Sequence, residues 1–434
     1  MSDVLAEVPV VPRDVAMAIM HPGGYANIEE VVHPACEWLR ENMPVGRAIL
    51  DGYDPVWMIS KHAHIKEVFR DAGRFHNADV NIMLHPRAGD DYLRSLLDGT
   101  TRVLNNLSYM EPPEHGLYRN AIAASFLPAQ IRKFEFRFRE VAKAAVDRFL
   151  DHGGECDAVA DLTRDYPLNA VLEMLGIPLE DYPFMLKITQ DTFGGDDPDW
   201  NRDGVECPTP EAAAKQWHEA VQDAYRYFEV IRKDRLVHPR NDLATAIVTA
   251  KLPGGEPMPE RIQNHLTLSI AIAGHDTTNS ALAGGLMGLA RFPDQLALAR
   301  SDPALIPGLV EESLRYATPA KHFMRNATGA VDFHGVRMAP LDRVMGLFVS
   351  GNRDEAVFPR GDRFDITRRP NPHLSFSYGP HICLGQNLAK LEMRILFEEL
   401  LPRLKTLELS DPPRLKVGNF VTGLKALPVR FSVA

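Results

Sequence analysis

Residues 376–385 read Phe376-Ser377-Tyr378-Gly379-Pro380-His381-Ile382-Cys383-Leu384-Gly385. A loop rich in glycine and proline presents one cysteine just before an amphipathic helix pattern begins. A helix N-terminus offers unpaired N–H groups and the positive end of the macrodipole. Both favour thiolate over thiol, and the thiolate is the form that attacks or ligates metal. Gly379 and Gly385 allow backbone to approach something flat and bulky. Taken alone, a single cysteine is most often a small buried hydrophobe. That reading stands for Cys36, Cys156 and Cys207, which have no such surroundings.

A second stretch, Ala273-Gly274-His275-Asp276-Thr277-Thr278, lies inside a pattern that runs helically from about Pro259 to Arg291. At 1.5 Å per residue such a helix is roughly 50 Å long, enough to cross a large domain. Its middle places an acid and two threonines among small apolar residues. A buried carboxylate needs a partner or a task. Threonine hydroxyls also bond back to the preceding turn and bend helices, so a kink with satisfied polar groups is the other explanation. Third, Glu312-Ser313-Leu314-Arg315 puts acid and base on one helix face. Alone such a pair says little, since exposed helices carry many.

Helices must carry most of these groups. Apolar residues recur at three- and four-residue spacing over 128–151, 210–235 and 384–404. Residues 48–50 and 56–59 flank Gly52-Tyr53-Asp54-Pro55 and predict a hairpin; further strand patterns fall at 331–349 and 415–432. The expected class is mainly α with small β-sheets. Residues 79–110 and 194–209 read as loops. Such long loops are often lids or binding elements; for 194–209 a solvated excursion explains the composition as well. No repeat or linker divides the chain, and the 33 prolines are spread along it, so one large domain over 1–434 is expected.

Composition removes other classes. The net charge of −10 argues against sequence-independent nucleic-acid binding. The four cysteines are far apart and contain no C-x-x-C, which excludes a disulfide framework or a zinc ribbon. No apolar run approaches the ~20 residues of a membrane span, and no signal-peptide core is present. A cytoplasmic protein without a membrane anchor is expected. No G-x-S-x-G, H-E-x-x-H or Walker motif points to a hydrolase or nucleotidase.

Order adds weight to the three stretches. Thr277 precedes Cys383 by 106 residues and Arg315 precedes it by 68. Acid–Thr helix, then Glu-x-x-Arg, then Phe-x-x-Gly-x-x-x-Cys-x-Gly resembles the cytochrome P-450 superfamily. The resemblance extends from GYDPVW through AGHDTT, SDPALIP, NRDEAVF and CLGQNLAKLEM to PPRL. The chain is most similar to the soluble bacterial members that hydroxylate monoterpenes such as α-terpineol. Two departures are Ser377, where a glycine is usual, and Glu111, where an aspartate is common.

The resemblance implies the cytochrome P-450 fold, with haem b between the long distal helix and the proximal Cys-loop helix. Cys383 would be the thiolate ligand and Phe376 would shield its sulfur. His115, Arg119, Arg325 and His381 would meet the haem propionates. Asp276 and Thr277 would be the acid–alcohol pair that delivers protons during dioxygen activation. Glu312 and Arg315 would form a structural ion pair, closed by Arg368 or a neighbour. Ile272, Ala273, Phe323, Phe420 and Val421, with residues of 79–110, would line the substrate pocket; each is equally compatible with ordinary core.

A buried ten-carbon substrate gains up to roughly 8 kcal/mol. Association costs remove several of these. A micromolar small hydrophobic substrate follows, a monoterpene or alkyl-aromatic hydrocarbon. With no fused reductase, electrons would come from a 2Fe–2S ferredoxin served by an FAD-containing NAD(P)H reductase. Arg119, Lys390 and Arg394 are its candidate contacts. The alternatives are a haem-thiolate enzyme acting on a larger lipid or steroid, a peroxide-driven or isomerising haem enzyme, and a haem sensor or carrier. The acid–alcohol pair argues for dioxygen activation over the last two.

Overall fold

The computed structural model describes residues 8–77, 81–199 and 209–434. Most of them are helical and the sheets are small, as the periodicity predicts. The long pattern forms one helix, Glu260–Arg291, of 32 residues. It is buried along most of its length, because it is apolar or small on nearly every side rather than amphipathic. Helices Asp165–Leu175, Pro210–Val237 and Ile306–Ala317 pack around it, and their leucines and phenylalanines form the main core with it. Helix Gln386–Leu400 follows the cysteine loop and lies against Glu135–Leu150 and Ile306–Ala317.

The hairpin predicted from 48–50 and 56–59 forms with its first strand shifted: Val45–Ala48 pairs antiparallel with Val56–Ile59, and residues 49–50 lie outside it. It extends into a five-stranded sheet. Val56–Ile59 runs parallel to Arg343–Leu347, which pairs antiparallel with His322–Ala327, and Phe75–His76 closes the edge. Val56–Ile59 and Arg343–Leu347 are buried at every position, the pattern of strands covered on both faces. Side chains alternate along a strand, so Phe323 and Arg325 share one face. A second sheet joins Glu155–Asp157, Pro428–Val433 and Leu404–Leu409. Between its last two strands, Arg414–Leu415 and Leu424–Ala426 form a hairpin whose tip carries Phe420 and Val421. That tip is held by a bridge between Ala320 and Val421 and by the Lys321 N–H donating to the Phe420 carbonyl at 2.8 Å.

One segment expected to be irregular is not. Within 79–110, residues Arg87–Leu96 form a helix. Gly89, which weakens the helical pattern, is there for packing: a Cβ at that position would lie 3.2 Å from the Pro210 carbonyl. Of the expected loop 194–209, residues 194–199 are turn-rich, and Cys207 lies outside the described residues. Among the described residues no helix is long and apolar enough to cross a membrane.

Candidate functional site

Cys383 sits at the floor of an internal cavity of about 340 Å³. Its loop is fixed before the helix starts. The Cys383 N–H donates to the Phe376 carbonyl at 2.8 Å, and the Ser377 N–H to the Leu374 carbonyl at 2.8 Å. Ser377 and Gly379 both have positive φ, +64° and +74°. Gly379 has no alternative, since a Cβ there would collide with the Phe69 carbonyl. Cys383 has accessible surface, but this opens into the cavity; towards bulk solvent the sulfur is enclosed. Burial therefore raises the thiol pKa, while the Gly385 N–H and Arg119 pull it down. The helix-start argument for thiolate is thus incomplete: burial outweighs it until a cation takes the sulfur. Cys36 is a core residue and Cys156 lies half-buried on a strand; burial pushes both thiols up to about 12. Both are inert fillers, as expected.

Above the floor, the cavity is lined by Ile272, Ala273 and Thr277 of the long helix, by Phe323 of the sheet and by Phe420 and Val421 of the C-terminal hairpin. Every pocket residue named from the sequence is in this wall. Ile82, Met83 and Leu104 join them from the 79–110 stretch, as expected, whereas Thr192, Trp217, Leu266 and Ser269 had no local signal of their own. The wall hydroxyls are turned inward. Thr192 donates to Ile188 at 2.8 Å, Ser269 to His265 at 2.6 Å and Thr277 to Ala273 at 2.7 Å, all backbone carbonyls four residues back.

One end of the same cavity is cationic. Helix Glu114–Ala123 places His115 and Arg119 one turn apart on one face. The His115 and His381 rings lie 4.1 Å apart. Arg325 is buried, stacked 4.0 Å over the Phe69 ring, and donates to the Met324 carbonyl at 2.7 Å. Burial lowers its pKa to about 9 despite the pull of Glu111. Burial, then Arg119, takes His115 down to about 4. Burial, then Arg325, His115 and Arg119, takes His381 down to about 3. Nε2 of both histidines is buried without a hydrogen-bond partner. Such a cluster of donors and cations awaits anions. A flat group bearing carboxylates at one edge and a metal over Cys383 fits this donor set. Arg119 also donates to the Ile382 carbonyl at 2.7 Å, so it faces the cavity. Its suggested second use as an outer docking contact is corrected by that orientation.

Beneath the floor, Glu312 and Arg315 are fully buried and joined by two bonds of 2.8 and 2.7 Å. Arg315 also donates to the carbonyls of Asn352, Gly361 and Arg363 at 2.9, 2.7 and 3.0 Å. Glu312 accepts from the Asp365 N–H at 2.8 Å and from Asn371 Nδ2 at 3.0 Å, with Arg368 Nε at 3.5 Å. The expected closing cation is therefore Arg368. Glu392, a further cavity residue, is buried with neither carboxyl oxygen partnered, and burial pushes its pKa well above the carboxylate range. Asp276 differs from Thr277: it is fully buried and outside the cavity lining, with Lys416 Nζ 3.1 Å from its Oδ2. The sequence reading missed Lys416.

Comparison with known proteins agrees with this geometry. The cytochrome P-450 family profile matches residues 299–432. Over 424 residues the chain is 44% identical to cytochrome P-450-terp of a Pseudomonas species, covering 98% of this chain and 99% of that one. It is 31% identical over 402 residues to linalool 8-monooxygenase of Pseudomonas putida, covering 92% and 96%. A crystal structure of a Novosphingobium aromaticivorans protein superposes with a TM-score of 0.90 at 34% identity, over 98% of this chain and all of the other. The chain belongs to the cytochrome P-450 family of monooxygenases.

Proposed function

We propose that this monooxygenase binds haem b through Cys383 and hydroxylates C–H bonds of a small hydrophobic molecule, a monoterpene or alkyl-aromatic hydrocarbon. Family membership implies the haem iron. The observation that carries the substrate class is the wall above Cys383. It is built from Ile272, Ala273, Phe323, Phe420 and Val421, and the hydroxyls of Thr192, Ser269 and Thr277 beside them already donate to helix carbonyls. Such a wall rewards apolar area and gives a charged headgroup no partner. The names of the two curated relatives point the same way.

When bound, the haem supplies the dioxygen-activating iron. Arg119 and Arg325 neutralise its carboxylates, with His115 and His381 as further donors. Phe376, at the mouth of the cysteine loop, covers the sulfur. Thr277 presents its hydroxyl at the cavity face of the long helix, where it would hold a proton for the dioxygen chemistry that the haem would supply, with Asp276 behind it as the proton source. The chain acts as one catalytic unit in the cytoplasm and takes electrons from a separate 2Fe–2S ferredoxin with its FAD-containing NAD(P)H reductase. A surface groove lined by Ile131, Arg132, Asn387, Lys390 and Arg394 lies along the cysteine-loop helix and offers that docking face. Lys390 pairs there with Glu311 at 2.7 Å, and Arg394 with Glu135 at 2.8 Å.

The test is a ferric spin-state titration. α-Terpineol, linalool or an alkylbenzene should shift the Soret band with micromolar half-saturation. A shift produced only by steroids or fatty acids overturns the substrate class. The ferrous carbonyl complex should show the red-shifted band of thiolate ligation. If Cys383→His retains that band, Cys383 is not the ligand.

A further inference from the structure

Trp217 carries a hydrogen-bond donor that the protein leaves unused. It stands on helix Pro210–Val237, borders the cavity above Cys383 and is 7% exposed. Its Nε1 is buried and has no hydrogen-bond partner among the described residues. A buried indole N–H usually finds an acceptor, and leaving one unpaired costs stability. Elsewhere the fold obeys that rule. Trp57 is 1% exposed and donates to Asp342 Oδ2 at 2.8 Å.

The neighbours of Trp217 supply no acceptor. The His85 ring stands perpendicular to the indole, with centroids 5.7 Å apart, but its Nδ1 is engaged by Asn81 Nδ2 at 2.9 Å. The space adjoining the indole that protein does not fill is the cavity, so that is where an acceptor can come from. The hydroxyls around the cavity have the opposite character. Thr192, Ser269 and Thr277 each give their one proton to a helix carbonyl, and Tyr109 gives its proton to Asn81 Oδ1 at 3.0 Å. Those oxygens can accept from a ligand, whereas the indole can only donate to one. A neutral oxygen fits this donor. A carboxylate would be buried against a single uncharged N–H, while the cations Arg119 and Arg325 belong to the other end of the cavity.

We propose that Trp217 is a specificity-determining residue: its indole N–H takes a neutral oxygen of the substrate, so the preferred ligand is an oxygen-bearing monoterpene and not the parent hydrocarbon. The proposal rests on the reading of this cavity as the pocket of a small hydrophobic substrate. One directed bond in an otherwise apolar wall also fixes the orientation of the molecule, and with it the carbon that is hydroxylated.

The test uses haem-loaded enzyme and two probes that differ by one hydroxyl, α-terpineol and p-menth-1-ene. Trp217→Phe keeps an aromatic ring and removes the N–H. In ferric spin-state titrations it should weaken α-terpineol roughly three- to tenfold and leave p-menth-1-ene within about twofold of the wild type. With electron donors present, the variant should spread the oxidation of α-terpineol over more carbons and leave the products of p-menth-1-ene unchanged. The wild-type enzyme gives a direct reading. In its ferrous carbonyl form, one indole N–H proton resonance, the one missing from Trp217→Phe, should move downfield with α-terpineol and stay in place with p-menth-1-ene. Equal weakening of both probes in Trp217→Phe means that the ring acts by bulk alone and overturns the proposal. An indole resonance that ignores α-terpineol overturns it as well. A wild-type enzyme that answers to neither probe, while steroids or fatty acids shift its spin state, overturns the substrate reading and the proposal with it.

Discussion

Replacing Glu312 with Gln isolates the charge of the buried pair at nearly constant shape. Each carboxylate oxygen of Glu312 accepts two hydrogen bonds. Oε1 takes Arg315 NH2 and the Asp365 N–H; Oε2 takes Arg315 Nε and Asn371 Nδ2. A glutamine turned either way points its amide NH₂ at two of these donors. Two buried donors lose their acceptor, and the Arg315 charge stays behind, held by three backbone carbonyls. Breaking one partner of a buried pair costs about 3–5 kcal/mol. Against a typical total of about 5–15 kcal/mol, this puts the variant near the threshold of folding. Equilibrium urea unfolding followed by far-ultraviolet circular dichroism reads the loss as a lower midpoint at unchanged slope. Limited proteolysis should first open 352–371, the stretch that Glu312 and Arg315 bind. A midpoint within experimental error of the wild type would refute the reasoning, because it would mean the pair contributes no more than an exposed one.

Thr277→Ala should consume NADH and release hydrogen peroxide in place of product; full coupling in that variant would assign proton delivery to another group. Ser377→Gly should stabilise the protein by roughly 0.5–1 kcal/mol, since a left-handed conformation costs an L residue roughly 1–2 and glycine returns part of this as unfolded-chain entropy. A lower urea midpoint in Ser377→Gly would contradict the strain argument. His322 should make the protein acid-sensitive. Its Nδ1–H faces the Asn419 carbonyl at 2.9 Å, its Nε2 accepts the Leu84 N–H at 3.0 Å, and burial lowers its pKa to about 3. The unfolded chain binds the proton near the ordinary value of about 6.5, so this stability is complete above that pH and is lost as pH falls towards 3. By pH 5 the loss is about 2 kcal/mol. His322→Asn should flatten the slope of stability between pH 7.5 and 5 by that amount; an unchanged slope would rule His322 out as its source.

What could be read in the sequence was local or ordered along the chain. The cysteine loop, the acid–Thr helix and the Glu-x-x-Arg turn each carry a pattern within ten residues, and the spacing between them is fixed. The helix Glu260–Arg291 was legible because its small and apolar residues run unbroken. Arg87–Leu96 was not, because the helix is short and opens with a glycine and two aspartates that read as turn formers, and Gly89 answers to Pro210, more than a hundred residues on. Lys416 was beyond reach for the same reason. The residues around it show no hint that the ammonium is buried, and its partner Asp276 is 140 residues earlier. The cysteine argument named a real pull towards thiolate, but the net shift of the thiol is upward because burial outweighs that pull, and no local pattern reports the depth of burial.

Asn352 ties the floor of the cavity together. Its carbonyl takes Arg315, its Oδ1 takes the Leu374 N–H at 2.6 Å, and its Nδ2 reaches Thr318 and Ser375, each at 2.9 Å. Ser375 in turn donates to the Leu314 carbonyl at 2.7 Å. The stretch leading into Cys383 is thereby immobilised by the polypeptide itself. Fixing backbone costs ~1–2 kcal/mol per residue, and these hydrogen bonds from one asparagine and one serine offset part of that cost for the cysteine loop.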